Sequence, residues 1–307
     1  MRSRCARLAR GALIVLALPY AMVPARLAAE RPAALGRDAL QTSSGMVTTA
    51  VTVRERNGRL VSNLTEHDFL VEEDGRPQTL TRFTSERTPI SVAIAIDISQ
   101  SLIGEPMQVT RAAARRFIET ALRPDDEVAL VSFNHVVNVV ANWTTDRTRL
   151  LASLDALAPS GSTALYDAVF KTISLFTTRH LQRAAIVVIS DGADSASDRT
   201  PTQLKQQLAG TDLFLYWVAV DHADARPATR VNPYTIAEIA AQANGYSEVI
   251  GRTEDLDAAL TRVSDELDHQ YVMSYVPATP ATGGMHTVRV SVPNGNYVVR
   301  ARRGVLR

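Results

Sequence analysis

Cysteine is nearly absent from this sequence of 307 residues, in which Cys5 is the only one. A single cysteine forms no internal disulfide, and thiolate metal sites need several, so both features are excluded. An excess of charge of one sign is also lacking, because 33 lysines and arginines face 32 aspartates and glutamates. With a net charge of +1 and no long basic run, the chain lacks the electrostatic signature of a nucleic-acid-binding protein.

Long hydrophobic runs are lacking too. The apolar run at residues 11–23 follows four arginines and is too short to span a bilayer comfortably. This pattern predicts a secretory signal peptide over residues 1–29 and a polar linker over residues 30–44, with an uncleaved N-terminal anchor as the alternative. We therefore expect an exported protein, periplasmic or secreted, with no membrane span after signal cleavage.

Two terminal segments, residues 45–87 and 269–307, show the short alternation of apolar and polar residues that is typical of half-buried strands. In the first segment, residues 69–72 and 78–83 are predicted to form the arms of a hairpin around Asp74-Gly75. Each segment is too short to form a core alone. We therefore expect the two segments to pair into one small all-β domain.

The middle of the chain, residues 88–268, alternates continuous apolar runs with segments of helical period. The apolar runs at 91–96, 127–133, 185–189 and 213–220 are predicted to be buried strands. Together these features predict a doubly wound α/β fold with a mostly parallel, Rossmann-like sheet, flanked by the small all-β domain.

Oxygen-bearing side chains follow the predicted strands of this sheet, and ligand sites in open parallel sheets lie beyond the carboxyl ends of the strands. The candidate metal ligands are two carboxylates and three hydroxyls: Asp97, Ser99, Ser101, Thr163 and Asp191. Such donors suit Mg²⁺, Mn²⁺ or Ca²⁺ rather than zinc. The pattern D-x-S-x-S alone is weak evidence, because serines and aspartates after a strand are also ordinary turn formers and helix caps.

Three other groups near these loops have ordinary structural explanations. Asp167 is expected to interact with a helix dipole, and Asp194 is expected to bond to its own loop. Asp221 and His222 form the single carboxylate and imidazole pair at the same edge that suits a general base, but a solvated loop explains them as well. None of them is included among the predicted ligands.

These motifs resemble the von Willebrand factor type A domain over residues 89–268. The metal-ion-dependent adhesion site of that family corresponds to D-x-S-x-S at Asp97, Ser99 and Ser101, a threonine at Thr163, and the aspartate of S-D-G at Asp191. The resemblance implies that the three hydroxyls bind the ion directly while the aspartates act largely through water. It also implies that a glutamate or aspartate of a partner protein completes the coordination of the ion.

The flanking segments resemble a narrower group, the exported bacterial proteins related to type A domains that are common in acidobacteria. The resemblance is carried by Asp68-Phe69, by E-D-G-R-P-Q at residues 73–78 and by R-R-G at residues 302–304. This group has no well-defined biochemical role, so the resemblance to it predicts no function for the chain.

The predicted function is that of an exported adhesion-type binding module, which captures an acidic residue of a partner protein through a divalent cation, Mg²⁺ or alternatively Mn²⁺ or Ca²⁺. The sequence contains no dinucleotide-binding, phosphate-binding, zinc-protease or serine-hydrolase motif, so no enzyme activity is expected. Two alternatives stay open. One is a structural subunit of an envelope assembly with a vestigial metal site, and the other is a metal-dependent hydrolase with Asp221 and His222 as its base.

Overall fold

A computed structural model of the protein describes residues 45–221 and 230–307. The predicted signal peptide and linker, residues 1–44, lie outside the described residues, and so does His222. In the described part of the chain, no helix has the length and the apolar character needed to cross a membrane.

Strands and helices succeed one another through both described ranges. The strands are β1 (Val47–Glu55), β2 (Leu70–Glu73), β3 (Arg76–Pro77), β4 (Leu80–Thr84), β5 (Ile90–Asp97), β6 (Glu127–Phe133), β7 (Val137–Thr144), β8 (Arg183–Ser190), β9 (Phe214–Val220), β10 (Tyr246–Ile250), β11 (Tyr271–Tyr275), β12 (Met285–Ser291), β13 (Tyr297–Ala301) and β14 (Gly304–Leu306). The helices are α1 (Glu105–Arg116), α2 (Arg147–Asp155), α3 (Leu165–Leu175), α4 (Pro201–Leu208), α5 (Pro233–Gln242) and α6 (Leu256–Asp268).

Six strands form the central sheet in the order β10-β9-β8-β5-β6-β7. All neighbours are parallel except β7, which runs antiparallel to β6 and forms one edge of the sheet. Every residue of β5, β6, β8 and β9 is buried, which agrees with their continuous apolar sequences. Two apolar cores cover the two faces of the sheet, one formed with α1, α2 and α6 and the other with α3, α4 and α5. The predicted doubly wound α/β fold is therefore confirmed.

Two further sheets are antiparallel, and each mixes strands from both ends of the described chain. Their orders are β13-β1-β11-β4 and β14-β12-β2-β3. A third apolar core lies between these strands and includes Val51, Val53, Tyr271 and Tyr275. This finding confirms the all-β part of the predicted fold class, whereas the domain boundaries at residues 45–87, 88–268 and 269–307 stay a prediction.

The predicted hairpin is wrong in its second arm. Across the Asp74-Gly75 turn, β2 pairs with β3, which contains Arg76 and Pro77 alone. The two turn residues have φ values of 49° and 75°, as a tight two-residue hairpin requires. Residues 80–84 form β4 instead, which pairs with β11 in the other antiparallel sheet. The apolar alternation of this segment fits either partner, so local pattern alone did not distinguish them.

A buried carboxylate on α6 links the α/β body to the first antiparallel sheet. Glu266 is fully buried. Its oxygens accept hydrogen bonds from Arg54 at 2.7 Å, from the hydroxyl of Tyr216 at 3.0 Å, from Thr52 at 3.4 Å, and from Arg300. Two arginines from β1 and β13 therefore compensate one buried negative charge, as a charge at this depth requires.

Candidate metal centre

The five predicted ligands lie on three loops at the carboxyl edge of the central sheet. Asp97 ends β5 and is followed by Ser99 and Ser101, Asp191 follows β8, and Thr163 precedes α3. Because β5 and β8 are adjacent and parallel, the residues after their carboxyl ends meet at the same edge. The predicted side chains are thereby brought together.

Asp97 is the most deeply buried member of this cluster, with no exposed surface. Its Oδ1 accepts the backbone N–H of Ser99 at 2.8 Å, and its Oδ2 accepts the hydroxyl of Ser190 at 2.6 Å. Burial raises the pKa of Asp97 to about 6, and the negative charge of Asp191 acts in the same direction. The hydrogen bonds from Ser190 and Ser99 lower the pKa and offset part of this rise.

The two serines connect Asp97 to Asp191. The hydroxyl oxygens of Ser99 and Ser101 lie 2.9 Å apart, and the hydroxyl of Ser101 donates to Oδ1 of Asp191 at 2.9 Å. Ser99 is buried, Ser101 is exposed and Asp191 is half-buried. The cluster therefore extends from a buried carboxylate to solvent.

The backbone changes conformation between the two serines. Ser99 is extended, with φ −70° and ψ 167°, but residues 100–102 form a short 3₁₀ turn. The backbone N–H of Gln100 donates to the carbonyl oxygen of Gly161 at 2.9 Å. This bond joins the loop after β5 to the loop that carries Thr163.

Thr163 is held by the loop that follows β8. Its N–H donates to the hydroxyl of Ser195 at 3.1 Å, and its carbonyl oxygen accepts the N–H groups of Ser195 and Ala196. The side-chain oxygen of Thr163 lies 3.8 Å from the position that a Cβ on Gly192 would take. Thr163 therefore lies close to Gly192, the residue that follows Asp191.

The chemistry of this cluster fits a hard divalent cation. Two carboxylates and three hydroxyls supply oxygen donors alone, which Mg²⁺, Mn²⁺ and Ca²⁺ prefer. The groups that act on Asp97 are hydroxyls, a backbone amide and the like-charged carboxylate of Asp191. A buried carboxylate is costly in such neutral surroundings, and a bound cation would compensate its charge.

Ser190 is a member of the cluster that sequence reasoning missed. Its hydroxyl contacts Asp97, 93 residues earlier in the chain. The sequence does contain a signal for Ser190, because this residue begins the S-D-G motif. Of that motif, only the aspartate is among the predicted ligands. Its role in the structure is to hold the orientation of the Asp97 carboxylate.

Asp167 and Asp194 have other partners, in keeping with their exclusion from the ligand set. Asp194 accepts the N–H of Leu165, the first residue of α3, at 2.8 Å. Asp167 accepts the N–H groups of Asp198 and Arg199 at 2.9 and 3.0 Å. Asp194 therefore bonds to the start of α3, and Asp167 fixes the backbone of the loop before α4.

Asp221, the proposed base of the hydrolase alternative, pairs with Arg230 at 2.7 Å. Its predicted partner His222 lies outside the described residues. The geometry of this pair therefore carries no argument for catalysis.

A second group of possible metal ligands, Glu73, Asp74 and His286, lies in the antiparallel sheets. Nδ1 of His286 is 2.7 Å from Oδ2 of Asp74. Glu73 accepts hydrogen bonds from Nε of Arg307 at 2.8 Å and from the hydroxyl of Tyr275 at 2.7 Å. A cation here would compete with the guanidinium group, so the contacts describe a salt-bridged link between β2 and β12 rather than a metal centre.

Comparison with known proteins gives one family. Residues 92–193, which contain all five predicted ligands, match the family model of the von Willebrand factor type A domain. No curated protein matches the chain.

Solved structures share the fold at low sequence identity. A von Willebrand factor type A protein from Catenulispora acidiphila is 13% identical, with 86% of this chain and 75% of that chain covered and a TM-score of 0.52. Proximal thread matrix protein 1 from the mussel byssus is 14% identical, with 63% and 50% covered and a TM-score of 0.51. BatB from Bacteroides thetaiotaomicron is 19% identical, with 58% and 98% covered and a TM-score of 0.48.

At these identities, the likeness to the two structures with TM-scores above 0.5 shows the fold and nothing further. The narrower resemblance to the acidobacterial group stays a prediction. The matched segment contains most of β5 and all of α3 and β8, the elements that bring the oxygen cluster together. Residues 92–193 therefore match the von Willebrand factor type A domain, and the sheet built around them has a doubly wound α/β fold.

Proposed function

We propose that the protein is an exported binding module that captures an acidic residue of a partner protein through a divalent cation held by Asp97, Ser99, Ser101, Thr163 and Asp191. The type A domain is a fold of the protein-interaction and adhesion type, which agrees with this role. The cation is Mg²⁺ in our proposal, and Mn²⁺ or Ca²⁺ would suit the same donors.

The observation that carries the proposal is the contact series from Asp97 through Ser99 and Ser101 to Asp191. The series begins at Asp97, a buried carboxylate with a raised pKa, and it reaches solvent at Ser101. The buried carboxylate would compensate the charge of a cation bound along this series, and a partner could reach the cation from the solvent side. This is the geometry that a bridging ion needs.

Each side chain has a distinct task in the proposal. The hydroxyls of Ser99, Ser101 and Thr163 would hold the ion, and the carboxylates of Asp97 and Asp191 would compensate its charge. Neutral hydroxyl ligands leave a divalent ion electron-poor, so it can take a further carboxylate oxygen from outside the chain. Ser190 orients Asp97 and so determines where the negative charge of the centre lies.

A binding module explains the cluster better than a hydrolase does. The hydrogen bonds to Asp97 come from the hydroxyl of Ser190 and the backbone N–H of Ser99, and neither donor takes up or releases a proton near neutral pH. We therefore assign binding rather than catalysis to the centre, and we propose export by the N-terminal signal peptide.

The capture of a carboxylate can be tested with Mn²⁺ as the probe ion and acetyl-aspartate methylamide as the probe ligand. Bound Mn²⁺ enhances the relaxation of water protons, and a carboxylate that enters its coordination displaces water and lowers this enhancement. We expect a saturable decrease with the aspartate compound and none with the asparagine compound. The double variant Ser99→Ala, Ser101→Ala should show no enhancement, whereas Ser153→Ala on α2 is a matched control that should behave as the wild type.

A wild-type protein that binds Mn²⁺ but gives the same response to both compounds would contradict capture of a carboxylate. Unchanged Mn²⁺ binding in the double variant would contradict the assigned ligands.

A further inference from the structure

We propose that a groove beside the metal centre binds the same partner segment, and that it receives an apolar side chain two to four residues away from the captured acidic residue. This inference rests on the proposed function, because it concerns the partner bound at that centre. It adds a second recognition element, so that the partner is an extended acidic and apolar segment rather than any exposed carboxylate.

The groove lies between the start of β7 and helix α3 and has a volume of about 530 Å³. Its lining includes Ala164, the residue directly after the predicted ligand Thr163, and continues along α3 through Phe170 to Lys171. The groove is therefore continuous with the loop that carries the metal centre. Its volume is within the range of protein sites that bind small ligands or short segments.

The length of the groove sets the spacing of the two recognition elements. At 1.5 Å per helical residue, Phe170 lies about 7.5 Å along α3 from Leu165, its first residue, and Thr163 is two residues earlier, outside the helix. An extended peptide covers about 7.5 Å in about two residues, and the two residues before Leu165 add to the distance, so a spacing of about two to four residues joins the two positions. A partner whose acidic residue is at the ion would therefore place a side chain two to four residues away, beside Val136 and Phe170.

The floor of the groove offers apolar surface to such a side chain. Val136, on the turn after β6, is 48% exposed, although β-branched apolar residues are usually buried. Phe170 is half-buried on the facing helix. An apolar side chain between Val136 and Phe170 would remove both surfaces from water.

Charged residues of the groove wall balance one another. The guanidinium carbon of Arg199 lies 4.4 Å from the ring centroid of Phe170, and Nζ of Lys171 donates to the carbonyl oxygen of Val137 at 2.5 Å. Asp167 and Asp198 supply two negative charges to the same lining. With two cations and two anions, the groove has no net charge to attract a second acidic or basic residue.

Hydrogen bonds hold the backbone of the groove wall in place. The carboxylate of Asp167 on α3 accepts the N–H groups of Asp198 and Arg199, so the loop before α4 is bonded to α3. A preformed wall lowers the entropic cost of binding a segment. The neutral charge, the apolar floor and the continuity with the metal centre together favour an uncharged apolar side chain as the occupant.

Blocked synthetic peptides test this inference on the Mg²⁺-loaded protein. The probe peptides are Asp-Gly-Gly-Leu and its reverse Leu-Gly-Gly-Asp, each flanked by glycines and carrying a fluorescent label for anisotropy. Two comparison peptides replace leucine by glycine or aspartate by asparagine. Because covering a leucine side chain contributes on the order of 1.4 kcal/mol or more, we expect one leucine peptide to bind about tenfold more tightly than its glycine counterpart.

The variant Val136→Asp should abolish this tenfold preference without changing the affinity for Mg²⁺. Val249→Asp is the matched control, because Val249 is 39% exposed on β10 at the opposite edge of the sheet. This control should retain the full preference for leucine. Melting curves of both variants show whether the fold is intact.

Equal binding of the leucine and glycine peptides in the presence of Mg²⁺ would overturn the groove and leave the metal-dependent capture in place. The same would follow if Val136→Asp and Val249→Asp changed the preference equally. If no aspartate peptide bound in a Mg²⁺-dependent way, the proposed function would fail and this inference with it.

Discussion

The hydroxyl of Ser101 donates a hydrogen bond of 2.9 Å to Oδ1 of Asp191, 90 residues further along the chain. The bond joins the loop after β5 to the loop after β8, two adjacent parallel strands. It brings a D-x-S-x-S motif and an S-D-G motif, each weak evidence by itself, into one cluster.

The ion-free protein should become more stable when Asp97 is replaced by asparagine. The pKa of Asp97 is about 6 in the folded state against an ordinary value of 3.8. Between these values the folded state binds more protons than the unfolded state, so the free energy of unfolding rises as the pH falls from 7 towards 4. The full shift corresponds to about 3 kcal/mol, a penalty that is present above pH 6 and lost in more acidic solution.

Urea unfolding in the presence of a chelator at pH 7.5, 6 and 5 measures this effect. Asp97→Asn should be more stable than the wild type at pH 7.5, and the difference should shrink at pH 5. An identical pH dependence for both proteins would show that the Asp97 carboxylate is not destabilised by burial.

Mg²⁺ should stabilise the folded protein, because the ion binds a site that the unfolded chain lacks. At an ion concentration of 100 times the dissociation constant, the gain is about 2.7 kcal/mol. We expect a rise in melting temperature with Mg²⁺ that is absent from the Ser99→Ala, Ser101→Ala double variant. An equal rise in the double variant would place the stabilising ion elsewhere on the protein.

Removing the buried carboxylate of α6 should destabilise the protein strongly. In Glu266→Ala, Arg54 and Arg300 lose their shared partner, and the hydroxyl of Tyr216 loses an acceptor. Breaking a buried pair in this way lowers the free energy of unfolding by about 3 to 5 kcal/mol. Chemical denaturation measures the loss, and Glu254→Ala at an exposed position nearby should change stability little.

Gly245 should tolerate no side chain. A Cβ at this position would lie 1.9 Å from the carbonyl oxygen of Leu215 in β9, so the loop after α5 could not approach the strand. We expect Gly245→Ala to lower the free energy of unfolding by about 1 to 3 kcal/mol. Gly251→Ala provides the control, because a Cβ there meets nothing within 4 Å. Equal stability of the two variants would contradict the close approach.

Much of the α/β body could be predicted from the sequence, because its strands are buried on both faces and are therefore continuously apolar. The run at residues 91–96 lies within β5, and the run at 127–133 coincides with β6. The proximity of the candidate ligands could also be predicted, since parallel neighbours present their carboxyl ends at one edge.

Contacts between distant segments could not be read from local patterns. The bond between Ser190 and Asp97 depends on which strands are neighbours, and the pairing of Glu266 with Arg54 joins residues 212 positions apart. The second arm of the first hairpin was wrong for the same reason, because β4 alternates apolar and polar residues in a way that fits two sheets. Tertiary pairing decides such cases.

The most direct test of the account is a calorimetric titration of the protein with Mg²⁺, run in parallel on the Asp97→Ala variant. We predict saturable binding of about one ion per chain in the wild-type protein and none in the variant, with Ser153→Ala binding as the wild type does. Equal binding of Mg²⁺ by wild type and Asp97→Ala, or no binding by either, would contradict a metal centre at the carboxyl ends of β5 and β8.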